Sequence, residues 1–96
     1  MGYKEELEEL RNVIDITDDV ILNSVIMRID LAMEIGVLKK EHGITEMSQD
    51  RRKEILDRVI KKSEEQSTPT YLTKKIFEVL IDHSVELQQM ILKSKG

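Results

Sequence analysis

The sequence contains no cysteine. That absence excludes disulfides, thiolate zinc sites and cysteine nucleophiles together, and it fits a reducing, cytoplasmic compartment. Tryptophan is missing as well, and there is a single proline in 96 residues. No apolar run approaches the roughly 18 residues that a membrane span needs. The opening stretch MGYKEELEEL is acidic, the wrong character for a secretory signal or a transit peptide. A basic surplus is lacking too: 15 Lys and Arg stand against 19 Asp and Glu, for a net charge of −4. A generic nucleic-acid binder would carry a basic stripe. Any anion site must therefore be a local cluster of cations inside an acidic chain.

With 35% charged and 40% hydrophobic residues, the chain has the profile of one small, soluble, helical domain spanning residues 1–96. The fold class is all-α, with a long helix 1 and shorter helices 2 and 3. Helix 1 runs from about Lys4 to Glu41, with Gly36 as its one interior breaker, at a cost of about 1 kcal/mol. Gly43 supplies the stop. Helix 2 runs from Ser48, a good N-cap, to about Glu65. Helix 3 opens at STPTYL, with Thr68 as N-cap and Pro69 at the first helical position, and runs to about Lys93.

A helix of about 38 residues is roughly 57 Å long at 1.5 Å per residue. A compact monomer of this size is little more than about 30 Å across. Helix 1 therefore outruns its own monomer, and a homodimer in which the long helices cross or pair is expected. The alternative is a chain bent at DITDD, residues 15–19, and folded back as a monomeric bundle.

Helix 1 also carries an anomaly. Positions 11, 14, 18, 21, 25, 28, 32, 35 and 39 form one heptad seam. Most hold apolar or small residues, but Arg11, Arg28 and Lys39 are cations. A buried cation is costly unless something anionic meets it, and Asp18 can serve only one of the three. Arg28 and Lys39 lie about 16 Å apart along the helix, close enough for two long side chains to share a small ligand. Arg11 is roughly 25 Å from Arg28 and could join only from the partner chain of an antiparallel dimer.

Helix 3 presents Phe77, Leu80, Ile81, Val85, Leu87 and Ile91 on its apolar side. Ser84 and Gln88, spaced i and i+4, lie within or beside it. They suit ligand-orienting groups, and equally a satisfied helix–helix hydrogen bond. In SQDRRKEIL, residues 48–56, Arg51 and Arg52 fall in the first turn of helix 2, where the dipole disfavours cations. Together with the backbone N–H groups there, they favour an anion. There is no metal cluster, no Gly-rich phosphate loop and no Ser/His/Asp or Cys/His set. His42 and His83 are isolated and read as surface groups. The expected ligand is a small polyanion, most simply a dicarboxylate, and the expected chemistry is positioning and electrostatics without a nucleophile or cofactor.

The segments LRNVID, RIDLAMEIGVLKK, DRRKEIL and IFEVLIDHSVELQQMIL resemble the AroQ-class, all-helical chorismate mutases. The resemblance runs from about Leu7 to Leu92. It implies an intertwined homodimer of three-helix chains with two sites, each built from both subunits. It implies the Claisen rearrangement of chorismate to prephenate, a cofactor-free step of aromatic amino acid biosynthesis. By position, Arg11 would come from the partner chain to a substrate carboxylate, and Arg28 would hold a carboxylate from the same chain as the rest of the pocket. Lys39 and Gln88 would donate to the ether oxygen of the breaking bond. Arg51 would line the pocket, and Ser84 would bond a carboxylate. Two positions depart from the family. Ser48 replaces its usual Asp, a mild change, since Ser still caps and hydrogen-bonds. Arg52 replaces a Glu expected to bond the ring hydroxyl. Arg52 either points to solvent and pairs with Glu46 or Asp50, or contacts a substrate carboxylate. The charge reversal keeps two alternatives open on the same fold, an isochorismate-pyruvate lyase and a 4-amino-4-deoxychorismate mutase. A third alternative is a non-catalytic helical dimer whose seam cations pair with Asp18 or Glu34.

Overall fold

A computed structural model describes residues 2–94. They form three α-helices, α1 (Tyr3–Glu41), α2 (Gln49–Glu65) and α3 (Thr70–Lys93), and among the described residues there is no strand. The expected all-α class and the one-long, two-shorter pattern are both observed. The chain divides into two units, residues 1–30 and residues 31–96.

The first unit is the N-terminal part of α1. It stays helical through residues 15–19, where a bend was the alternative, and Thr17 Oγ1 donates to the Val13 carbonyl at 2.8 Å. None of its described residues is buried. Leu10, Ile14, Val20 and Ile21 all lie exposed, with Ile14 and Ile21 both 57% accessible.

The second unit contains the core. Ile55 and Val59 of α2 pack on Ile81 of α3, with Leu56 and Phe77 against them. Each buried aliphatic side chain stabilises the fold by about 1.5–3 kcal/mol. Partners across the two helices run in opposite directions. Ser63 near the end of α2 meets Thr73 near the start of α3 at 2.7 Å, and Arg52 at the start of α2 meets Asp82. The two helices are therefore antiparallel, as their four-residue connector requires. Buried Ser63 is satisfied twice, by Thr73 and by the Val59 carbonyl at 2.7 Å.

The end of α1 packs on the end of α3. Buried Ala32 and Gly36 mark the face, Lys39 bonds Gln88, and Lys40 Nζ bonds the Ser94 carbonyl at 2.5 Å and its Oγ at 2.8 Å. Gly36 meets Gln88 and Ile91 and, one turn on, Lys40 meets Ser94, so these segments run in the same direction. Here the buried face departs from the heptad seam: Gly36 is buried while Ile35 is 46% exposed.

Helix ends account for the turns. Gly43 sits at φ 66°, with its N–H on the Lys40 carbonyl at 3.2 Å and the Ile44 N–H on the Lys39 carbonyl at 2.8 Å. That is the left-handed closure expected of a glycine stop. The start of α3 differs from the expectation. Pro69, not Thr68, is the N-cap, and the helix begins at Thr70 without a side-chain cap. The cause lies in α2. Ser67 takes the left-handed conformation at φ 53°, and the Thr68 N–H turns back to the Ser63 carbonyl at 2.8 Å to close that helix. The Thr68 hydroxyl is turned the same way, donating to the Gln66 carbonyl at 3.4 Å, so Thr68 is used in ending α2 and does not cap α3.

Candidate active site

Lys39 lies in the last turn of α1, where a cation meets the negative end of the helix dipole. Its half-buried ammonium donates to Gln88 Oε1 at 2.8 Å, to the Glu46 carbonyl at 3.1 Å and toward Met47 Sδ at 3.6 Å. All three partners are neutral. An ammonium has three donors and no acceptor, so these contacts orient it without cancelling its charge. Gln88 is only 8% exposed, and Lys39 satisfies its amide oxygen. The glycine closure of α1 brings the chain back beneath Lys39, which is how Glu46 and Met47 come to face it.

Ser48 caps α2 as expected: its Oγ accepts from the Arg51 N–H at 3.1 Å. The Arg51 guanidinium is exposed and pairs with Glu54, one turn on. Such a surface pair is worth about 0–1 kcal/mol, so it is easily exchanged for a bound anion. Arg52 finds its partners across the helix interface. Asp82 Oδ1 is at 2.6 Å and Glu78 Oε2 at 3.8 Å, in place of the Glu46 or Asp50 pairing expected from its neighbours in sequence. The acids that answer the reversed charge at position 52 are therefore on α3. Ser84 is half-buried, and its Oγ donates to the Leu80 carbonyl at 2.9 Å. Arg11 is exposed and Arg28 half-buried, both in the first unit. His42 and His83 are exposed, and the His42 ring Nδ1 lies 3.0 Å from the Leu38 carbonyl.

Of the sequence-derived candidates, Lys39 and Gln88 are in direct contact, as are Ser48 and Arg51. Two contributors escaped the sequence. Glu46 and Met47 offer Lys39 a carbonyl and a thioether, and only the turn geometry at Gly43 reveals them. Glu78 and Asp82, spaced i and i+4 on α3, meet Arg52 only through the register of α2 on α3, which no local signal carries. Outside the site, exposed Lys53 bonds Asp57 Oδ2 at 2.6 Å, and this hydrogen bond, with the charge behind it, raises the lysine pKa above its ordinary value. Among the described residues no group of three or more His, Cys, Asp or Glu could hold a metal ion, and no helix is long and apolar enough to cross a membrane.

Fold and site together define an all-helical protein that holds an ammonium among neutral acceptors, with arginines at the start of the neighbouring helix. The chain belongs to the chorismate mutase type II family, whose profile matches residues 10–89. It is 35% identical over 89 residues to a chorismate mutase of Methanocaldococcus jannaschii, covering 93% of this chain and 90% of that protein. It is 25% identical over 96 residues to a 4-amino-4-deoxychorismate mutase of Streptomyces venezuelae, covering 100% of this chain and 93% of the relative. No solved structure is significantly similar to the chain.

Proposed function

We propose that the protein is a chorismate mutase, an isomerase that converts chorismate to prephenate, and that it works as an intertwined homodimer. The observation that carries the reading is the Lys39–Gln88 pair, an ammonium at 2.8 Å from a buried amide and held by neutral groups. The rearrangement is unimolecular. One carbon–oxygen bond breaks as a carbon–carbon bond forms, and no proton or electron leaves the substrate. Catalysis then needs two things. Cations must hold the dicarboxylate in its compact reactive conformer, an orientation effect. A donor must meet the negative charge that grows on the ether oxygen as its bond breaks, which stabilises the transition state more than the ground state. We assign the second task to Lys39 and Gln88. To Arg28, Arg51 and Ser84, and to Arg11 of the partner chain, we assign the first, with Ser48 and Arg52 at the pocket edge.

Support for the dimer comes from the apolar residues that α1 leaves exposed, including Leu10, Ile14, Val20 and Ile21. Leu10, Ile14 and Ile21 fall on one face of the helix at heptad spacing, and exposed apolar faces of this kind mark interaction surfaces. A second copy crossing there would cover that face, with Arg11 delivered in trans. The cysteine-free chain suits the cytoplasm.

The test is to mix purified protein with chorismate and follow the loss of cyclohexadiene absorbance. Rapid loss with prephenate as product is expected, and no loss above the uncatalysed rate would sink the proposal. Arg52, tied to Asp82 and Glu78, favours carrying two further substrates in the same experiment. Pyruvate release from isochorismate, or turnover of 4-amino-4-deoxychorismate faster than chorismate, would move the assignment to a related substrate on the same fold.

A further inference from the structure

Gly36 weakens α1 as a helix, since glycine is the poorest helix former after proline. It is nonetheless buried, and it faces α3. A Cβ placed on it would lie 2.9 Å from Ile91 Cδ1 and 3.4 Å from both Gln88 Cα and Ile91 Cβ. Carbon atoms pack best at about 3.5–4.0 Å, so the first contact moves the tip of Ile91, and the second sets any added methyl directly against the Gln88 backbone. Three residues further on, Lys39 reaches the same Gln88 at 2.8 Å. One turn beyond Gly36, Lys40 ties down Ser94, the residue that ends α3. The approach of the Gln88 backbone to Gly36 and the length of the Lys39–Gln88 hydrogen bond are thus set by one helix–helix distance.

We propose that Gly36 is a positioning residue for the reaction. With no side chain at that point, the Gln88 backbone closes on α1 and its amide meets the Lys39 ammonium at hydrogen-bond distance. The proposal rests on the assignment of Lys39 and Gln88 to the reacting oxygen. A methyl group at position 36 displaces Ile91 or moves α3 outward, and Gln88 travels with α3. Catalytic geometry tolerates little of this: a misplacement of 1 Å costs on the order of 10²-fold in rate.

The experiment compares wild type, Gly36→Ala, Ile91→Val, the double variant Gly36→Ala/Ile91→Val, and Lys39→Met. Valine lacks Cδ1, the atom a Cβ at position 36 would strike. Two quantities are read on each protein: kcat and KM with chorismate, and the side-chain amide NMR signal of Gln88. In Gly36→Ala, kcat should fall about five- to thirtyfold with KM within about twofold, as expected of a shift of some tenths of an ångström. The Gln88 amide signal should move in the direction seen in Lys39→Met. The melting temperature should change little, because the gain of about 1 kcal/mol from a better helix former opposes a packing cost of similar size. The double variant should recover most of kcat and return the Gln88 signal toward wild type. An unmoved Gln88 signal in Gly36→Ala overturns the proposal, as does a moved signal with unchanged kcat, or a double variant that recovers nothing. If the wild type itself fails to turn over chorismate while the Gln88 signal responds as described, the proposed function falls and the geometric role of Gly36 stands.

Discussion

Residues 2–30 and residues 31–94 use their apolar side chains in opposite ways. The first stretch has no buried residue, although it carries Leu10, Ile14, Val20, Ile21 and Ile26. The second closes a core around Ile55, Val59 and Ile81 and satisfies buried Ser63 and Gln88 with hydrogen bonds. Candidate cations are divided between them as well: Arg11 and Arg28 in the first, Lys39, Arg51 and Arg52 in the second. The difference teaches that folding and function draw on different ranges of contact. Residues 31–94 close a core and orient the Lys39 ammonium. Residues 2–30 present a helix with no buried residue, and it is under the proposed function that Arg11 and Arg28 there would hold substrate.

The largest expected effect breaks the second region without touching the first. Lys39→Ala should remove about 3–4 kcal/mol of transition-state stabilisation, the worth of one well-placed donor at a developing oxyanion. Sedimentation should show the same dimer as wild type. A Lys39→Ala protein with wild-type kcat would refute the role assigned to the lysine. Mixing it with Arg11→Ala chains sharpens the comparison. In a heterodimer, one of the two sites receives both an intact Arg11 and an intact Lys39, so activity should return. Heterodimers that remain inactive would show that Arg11 does not act across chains.

Next in size are two alanine substitutions read side by side in denaturant. Ile81→Ala empties part of the core and should cost about 2–4 kcal/mol. Ile21→Ala separates two pictures of the first region. If that face is solvated, the change should stay within about 0.5 kcal/mol. If a second chain covers it, the cost should approach about 2 kcal/mol and grow as the protein is diluted. We expect the second outcome, and equal stability of Ile21→Ala and wild type at all concentrations would remove the support for the dimer.

How far the molecule was legible in its sequence follows the range of the interactions. The helices were readable from local signals: Ser48 as an N-cap, Gly43 as a stop, and an apolar period through Phe77, Ile81 and Ile91. The Lys39–Gln88 pair was foreshadowed because a cation on a seam and an amide on an apolar face each demand a partner. Readability failed where two local signals competed. Thr68 followed by Pro69 is a sound helix start taken alone, but the end of α2 holds both the Thr68 N–H and its hydroxyl. It failed again where meaning depends on helix register. Gly36 scores as a defect within α1, and only the approach of Ile91 and Gln88 shows its use. The small pair Ala32 and Gly36, spaced i and i+4, was the available clue. Arg52 stood out as misplaced, and its acidic partners 26 and 30 residues away became visible only once α2 and α3 were aligned.

The smallest expected effect improves the molecule, and it lies in that same α2–α3 turn. Two helices end on a residue in the left-handed conformation. Gly43 does so at φ 66°, where glycine has no Cβ to crowd, and Ser67 at φ 53°, where serine does. A left-handed residue with a side chain costs roughly 1–2 kcal/mol. Glycine at position 67 would relieve that strain but would lose more freedom on folding, at about 0.5–1 kcal/mol. Ser67→Gly should therefore gain about 0.5–1 kcal/mol, which for a domain of this size raises the melting temperature by about 2–8 °C. The reverse change at the other turn, Gly43→Ala, should lower stability by about 1 kcal/mol or more, since it introduces the same crowding. It should also slow catalysis, because that turn places the Glu46 carbonyl and Met47 sulfur against Lys39, whereas Ser67→Gly should leave kcat unchanged. Thermal unfolding and steady-state rates on the two variants decide the matter. Equal rates in both would show that the Gly43 turn only ends a helix and does not orient the lysine.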